Sequence, residues 1–87
     1  MIGRRSLRAW KLNMPKTVSG DGAIKILTKH FGFSFVSQKG SHVKLKRLFE
    51  GGANITIVLL HRELLSGTLR GVLELAKVDF KEFQEFM

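Results

Sequence analysis

SQKGSHVKLKR, residues 37–47, holds a turn, a strand and most of the chemistry of this chain. In HVKLKR, Val43 and Leu45 alternate with His42, Lys44 and Lys46. That is the period of a β-strand with one apolar face and one cationic face. The preceding KGS suits a tight hairpin in which Gly40 supplies a positive φ. The turn joins the strand back to FSFVSQ, where Phe33 and Phe35 alternate with Ser34 as a strand requires. Forward of it, FEGGAN offers Gly51 and Gly52 for a second hairpin turn, and ITIVLL reads as a third strand. Its β-branched, continuously apolar composition predicts a central strand or one covered on both faces.

Helices flank the three strands. In SGDGAIKILTKHFG, Ser19 or Asp21 can cap a helix by accepting from an orphan amide. Ala23, Ile24, Leu27 and Phe31 form its apolar stripe, with Lys25 and Lys29 outward and Gly32 placed to end it. SGTLRGVLELAKV is a second helix with Leu69, Val72, Leu73 and Ala76 on its core face. Asp79 and Glu82 then form a capping-box variant that opens a short last helix carrying Phe80, Phe83 and Phe86. The order predicts an α+β domain: helix, three-stranded antiparallel sheet, helix. Such helices bury one sheet face and leave the other to solvent or a partner.

Composition limits what that free face does. At 87 residues the chain is one domain, and its 44% hydrophobic and 25% charged content is ordinary for a folded protein. It has no cysteine, which excludes disulfides, thiolate zinc sites and a cysteine nucleophile. No apolar run approaches the roughly 20 residues of a membrane span, so no membrane role is expected. A net charge of +8 points to a polyanion partner. Much of that charge is local: residues 1–18 hold five basic residues and no acid, against ten basic and seven acidic in the rest. Residues 1–13, MIGRRSLRAWKLN, read as a flexible basic arm before a domain spanning 14–87. A removable Arg-rich presequence and an upstream extension ahead of Met14 are the competing readings.

On the cationic face, His42 stands in one row with Lys44 and Lys46, and Lys39, Gly40 and Ser41 form the turn at its head. These are the parts for cleaving RNA without a metal or other cofactor. A base takes the 2′-OH proton, the oxygen attacks phosphorus, and cations, backbone amides around Gly40 and the Ser41 hydroxyl stabilise the added charge. The same residues also describe a solvated histidine on a strand whose lysines blunt an edge. His61, at the end of the third strand, is a second candidate as acid or phosphate ligand, or else a structural loop residue. His30, late in the first helix, reads as structural, near the terminal carbonyls. Arg62 and Arg70 either reach phosphate or pair with Glu63 and Glu74. Asp21, Glu50 and Glu63 are too scattered to suggest a metal site.

SGDGAIKILTKHFGF, QKGSHVKLKR and HRELLSGTLRGVLELAKVDFKEF, in that order, resemble the HicA toxins of toxin–antitoxin modules. The resemblance covers about residues 14–86, and its most specific parts are the Gly-Ser-His turn and the Gly-Thr-Leu-Arg helix start. It implies an αβββα fold like that of double-stranded-RNA-binding domains, and a cytoplasmic mRNA interferase. It also implies catalysis by His42 and inhibition by a HicB-type antitoxin that covers the active site. Where the family commonly carries a proline near the end of the third strand, this chain has TIVLLH, one residue longer and without proline, which leaves room for a bulge. The extension at 1–13 is outside the family pattern. A non-catalytic RNA-binding module of the same fold is the rival reading, and a protein-interaction subunit the third. Against the module, the second helix opens with Arg70 alone rather than the basic cluster such domains present to phosphates.

Overall fold

A computed structural model of the chain describes residues 17–87, so the expected arm at 1–13 lies outside the described residues. The Ser19 hydroxyl accepts from the Gly22 amide at 2.9 Å and starts α1, Gly20–His30. Asp21 is left free for an exposed ion pair with Lys25 at 3.2 Å. Gly32 follows with φ +75°, as the end of the helix requires. The strands are β1 (Ser34–Lys39), β2 (His42–Phe49) and β3 (Gly52–Leu59), antiparallel in the order β1-β2-β3. Helix α2 (Ser66–Ala76) and the short α3 (Phe80–Gln84) complete the chain. The predicted α+β, αβββα layout is the observed one.

The apolar stripe of each element meets in one core. Ala23, Ile26 and Leu27 of α1 and Leu69, Val72, Leu73 and Ala76 of α2 pack on Val43, Leu45 and Val58 of the sheet. Thr56 is fully buried among them, and its hydroxyl donates to the Val72 carbonyl at 2.8 Å, tying β3 to α2. The Asp79 carboxylate accepts from the Glu82 amide at 3.1 Å, and the α3 it opens buries Phe83 completely.

Two expectations are corrected, and one aromatic stands where alternation alone does not put it. The third strand is not central: β3 is an edge, β2 sits in the middle, and Ile55 is 46% exposed. Two successive hairpins always put their middle strand at the centre, whatever the composition of the last. Phe35 is not core. It pairs with buried Leu45 but is 59% exposed, because both helices lie over β3 and every residue of β1 is exposed. No bulge interrupts β3, whose register with β2 runs unbroken from His42↔Leu59 to Phe49↔Gly52; the one irregularity lies in β1 between Phe35 and Ser37.

Candidate nucleic-acid interface

Gly40 and Ser41 form the two-residue turn between β1 and β2. Gly40 has φ +60° with open space around it, so conformation rather than crowding calls for glycine there. The Gln38 side-chain amide donates to the Gly40 carbonyl at 3.0 Å across the turn. His42 is the first residue of β2, and from it the strand alternates exposed, buried, exposed, buried, exposed through Lys46. Burial of Val43 and Leu45 thus fixes which side His42, Lys44 and Lys46 occupy.

Cross-strand pairs extend this row into a surface. On the β1 side, Lys39 pairs with His42, Ser37 with Lys44 and Ser34 with Lys46. On the β3 side the partners are Leu59, Ile57 and Ile55. The face is a grid with a cationic centre, a polar flank and an aliphatic flank. Its nine residues include no acid, and among the described residues the single ion pair is Lys25–Asp21 on α1, so Lys39, Lys44 and Lys46 are uncompensated. Alternate residues on a strand lie about 6.8 Å apart, so the row offers successive charges to an extended polyanion.

The loop after β3 joins the head of this row. The Leu60 amide donates to the Ser41 carbonyl at 2.8 Å, and the His61 carbonyl accepts from the Gly20 amide at 2.8 Å. Gly20 is what permits that approach: a Cβ there would overlap the Leu59 carbonyl oxygen and lie 2.8 and 2.9 Å from Leu59 C and Leu60 Cα. His61 is exposed and Arg62 follows it, also exposed.

Two candidates belong elsewhere. The Arg70 guanidinium stacks over the Phe80 ring at 4.2 Å, in the helical layer and not in the row, so it neither pairs with Glu74 nor joins the sheet face. The His30 ring stacks on Phe86 with centroids 3.9 Å apart, a structural role, though through an aromatic ring rather than helix carbonyls.

Arg47 is the residue whose role the cationic run concealed. It shares the parity of Val43 and Leu45 and points into the helical layer. Its guanidinium donates to the Phe31 carbonyl at 3.2 Å, to Ala76 at 3.0 Å and to Lys77 at 3.4 Å, and lies 4.8 Å from the Phe33 ring centroid. One side chain thereby caps the C-termini of both long helices, where unsatisfied carbonyls concentrate negative charge. The parity was readable in the sequence; the carbonyls it reaches were not.

Among the described residues no group of three His, Cys, Asp or Glu side chains is placed to hold a metal, and no helix is long and apolar enough to cross a membrane. Among curated protein sequences none matches the chain. The family model described as HicA toxin of bacterial toxin–antitoxin matches residues 20–78, from the first residue of α1 to just past α2. That match takes in the whole sheet, the Gly40–Ser41 turn and the row that begins at His42, and the chain belongs to the HicA toxin family.

Proposed function

We propose that this toxin is a metal-independent endoribonuclease that cleaves mRNA in the cytoplasm, with His42 as general base. The observation that carries the reading is the position of His42: exposed, beside Lys39 across the hairpin and in line with Lys44, on a face without acids. RNA brings its own nucleophile. An imidazole nitrogen of His42 takes the 2′-OH proton and the 2′ oxygen attacks the adjacent phosphorus. Lys39 and Lys44, with the backbone around Gly40 and the Ser41 hydroxyl, hold the oxygens of the reacting phosphate as charge builds on them, and Lys46 meets the next phosphate along the strand. The P–O5′ bond then breaks, leaving a 2′,3′-cyclic phosphate and a 5′-hydroxyl. General base catalysis supplies about 10² to 10⁴ in rate.

The functional unit is residues 14–87, with 1–13 as a basic extension. Membership of the family implies an antitoxin partner. A HicB-type protein laid over the row would neutralise the lysines and cover the aliphatic flank of Ile55 and Ile57, surface that RNA phosphates cannot use. The test is cleavage of RNA by wild type and His42→Ala in the presence of EDTA. Wild type is expected to cut and leave cyclic phosphate ends while His42→Ala falls by at least about 10². Equal cutting by both proteins, or wild-type cutting abolished by the chelator, refutes the mechanism.

A further inference from the structure

We propose that His61 is the general acid that protonates the leaving 5′ oxygen, completing a two-histidine site at the head of the cationic row. The inference rests on His42 acting as the base and supplies the group that mechanism lacks. Its ground is backbone geometry. The β2–β3 register pairs His42 with Leu59, and the hydrogen bond from the Leu60 amide to the Ser41 carbonyl continues the same ladder by one step. The next position, His61, therefore faces Gly40. The Leu60 amide points toward β2 while the His61 carbonyl points away from it, to the Gly20 amide. That reversal is the alternation of an extended chain, so His61 falls on the same side as Leu59 and, across the ladder, as His42.

Two residues along a strand span about 6.8 Å and neighbouring strands lie about 4.8 Å apart, which puts the two histidine Cα atoms within roughly 8 Å of each other. Gly40, opposite His61, has no side chain, and nothing lies within 4 Å of where its Cβ would be. Gly40 therefore puts no side chain between the two histidine positions, and Lys39 lies on the far side of His42. A phosphate seated there meets a base on one side and an acid on the other, as in-line displacement needs. The backbone of His61 is held on both edges, by Ser41 through Leu60 and by Gly20 directly, so its ring is carried on a fixed support.

The step balances. His42 gains the proton from the 2′-OH, the O2′–P bond forms, the P–O5′ bond breaks, and the His61 imidazolium gives its proton to O5′. Solvent then returns each imidazole to its starting form. The experiment compares mixed-sequence RNA oligonucleotides with otherwise identical ones carrying a single 5′-bridging phosphorothiolate, whose thiolate leaves without protonation. His61→Ala is expected to cleave the ordinary linkage about 10² to 10⁴ more slowly than wild type and the sulfur linkage within a few-fold of it. Cleavage of the sulfur linkage also certifies that the variant is folded. An equal loss on both linkages, or no loss on either, overturns the assignment. His42→Ala is expected to be slow on both. If it cleaves both at the wild-type rate, the base reading is overturned instead, a result distinct from any behaviour of His61→Ala.

Discussion

Replacing Arg47 with methionine separates the structural cation of β2 from the lysines proposed to meet RNA. Methionine keeps an unbranched apolar stem of similar reach, so the loss is confined to the guanidinium. Hydrogen bonds to a charged group contribute about 1.5–3 kcal/mol each, and the bonds to Phe31 and Ala76, at 3.2 and 3.0 Å, are the two well-made ones. The Lys77 contact at 3.4 Å and the stacking on Phe33 add less, about 0.5–1 kcal/mol for the latter at a partly exposed site. These effects share one group and do not add. Water can also reach the released carbonyls, because the site is only partly buried. A net loss of about 2–4 kcal/mol follows, a large share of the stability of a domain this size. With a urea m-value of about 1–3 kcal/mol/M, the unfolding midpoint should fall by roughly 0.7–4 M at unchanged m. Arg47→Lys should recover less than half, since one ammonium cannot reach carbonyls on two helices. RNA affinity measured where both proteins are folded should be unchanged, because Arg47 lies on the opposite face from Lys44 and Lys46. A midpoint shift below about 0.2 M, or a loss of RNA affinity without loss of stability, would refute the capping role.

Other perturbations test other levels of the structure. Gly20→Ala forces a methyl into the backbone of Leu59 and Leu60 and should cost about 3 kcal/mol or more, read by thermal melting; a near-native melt would show that α1 can retreat from β3 freely. Lys77 ends α2 in the left-handed region at φ +58°, so Lys77→Gly should gain about 0.5–1 kcal/mol in urea unfolding, strain relief outweighing the entropy of glycine. Lys44→Ala with Lys46→Ala, in the His42→Ala background expected to cut slowly, should weaken RNA binding and flatten the salt dependence. The slope of log K against log salt should drop by about 1.4 for two single-strand phosphate contacts, and an unchanged slope would remove these lysines from the binding face.

The elements were legible because their signals are local. Period-two alternation in HVKLKR, the caps at Ser19 and Asp79, and the stripe Leu69, Val72, Leu73, Ala76 each depend on residues within a few positions of one another. What failed depends on partners far away in sequence. Phe35 alternates correctly, yet nothing near it in the chain says that the helices stop short of β1. ITIVLL has the composition of an inner strand, but its place follows from the two hairpins before it. Arg47 follows the lysines in the chain, yet its parity puts it with Val43 and Leu45, and the helix ends it reaches are distant in sequence. The nearness of His61 to the Gly40–Ser41 turn follows from register, and the need for glycine at position 20 from the approach of the α1 start to the end of β3; neither is a property of any single motif.

The strict alternation of β2 has a consequence for how such a protein is restrained. A slip of one residue would not merely hide His42. It would push His42, Lys44 and Lys46 into the core at several kcal/mol per unpaired charge, and expel Val43 and Leu45 at about 1.5–3 kcal/mol each. No compact alternative with the charges sheathed is within reach of a small domain. On the proposed function, folding and arming are one event, and each completed molecule presents its row at once. Hiding that row by rearrangement would cost the whole fold, so under the same proposal restraint is a matter of covering the face, and the cover must be ready when the chain is.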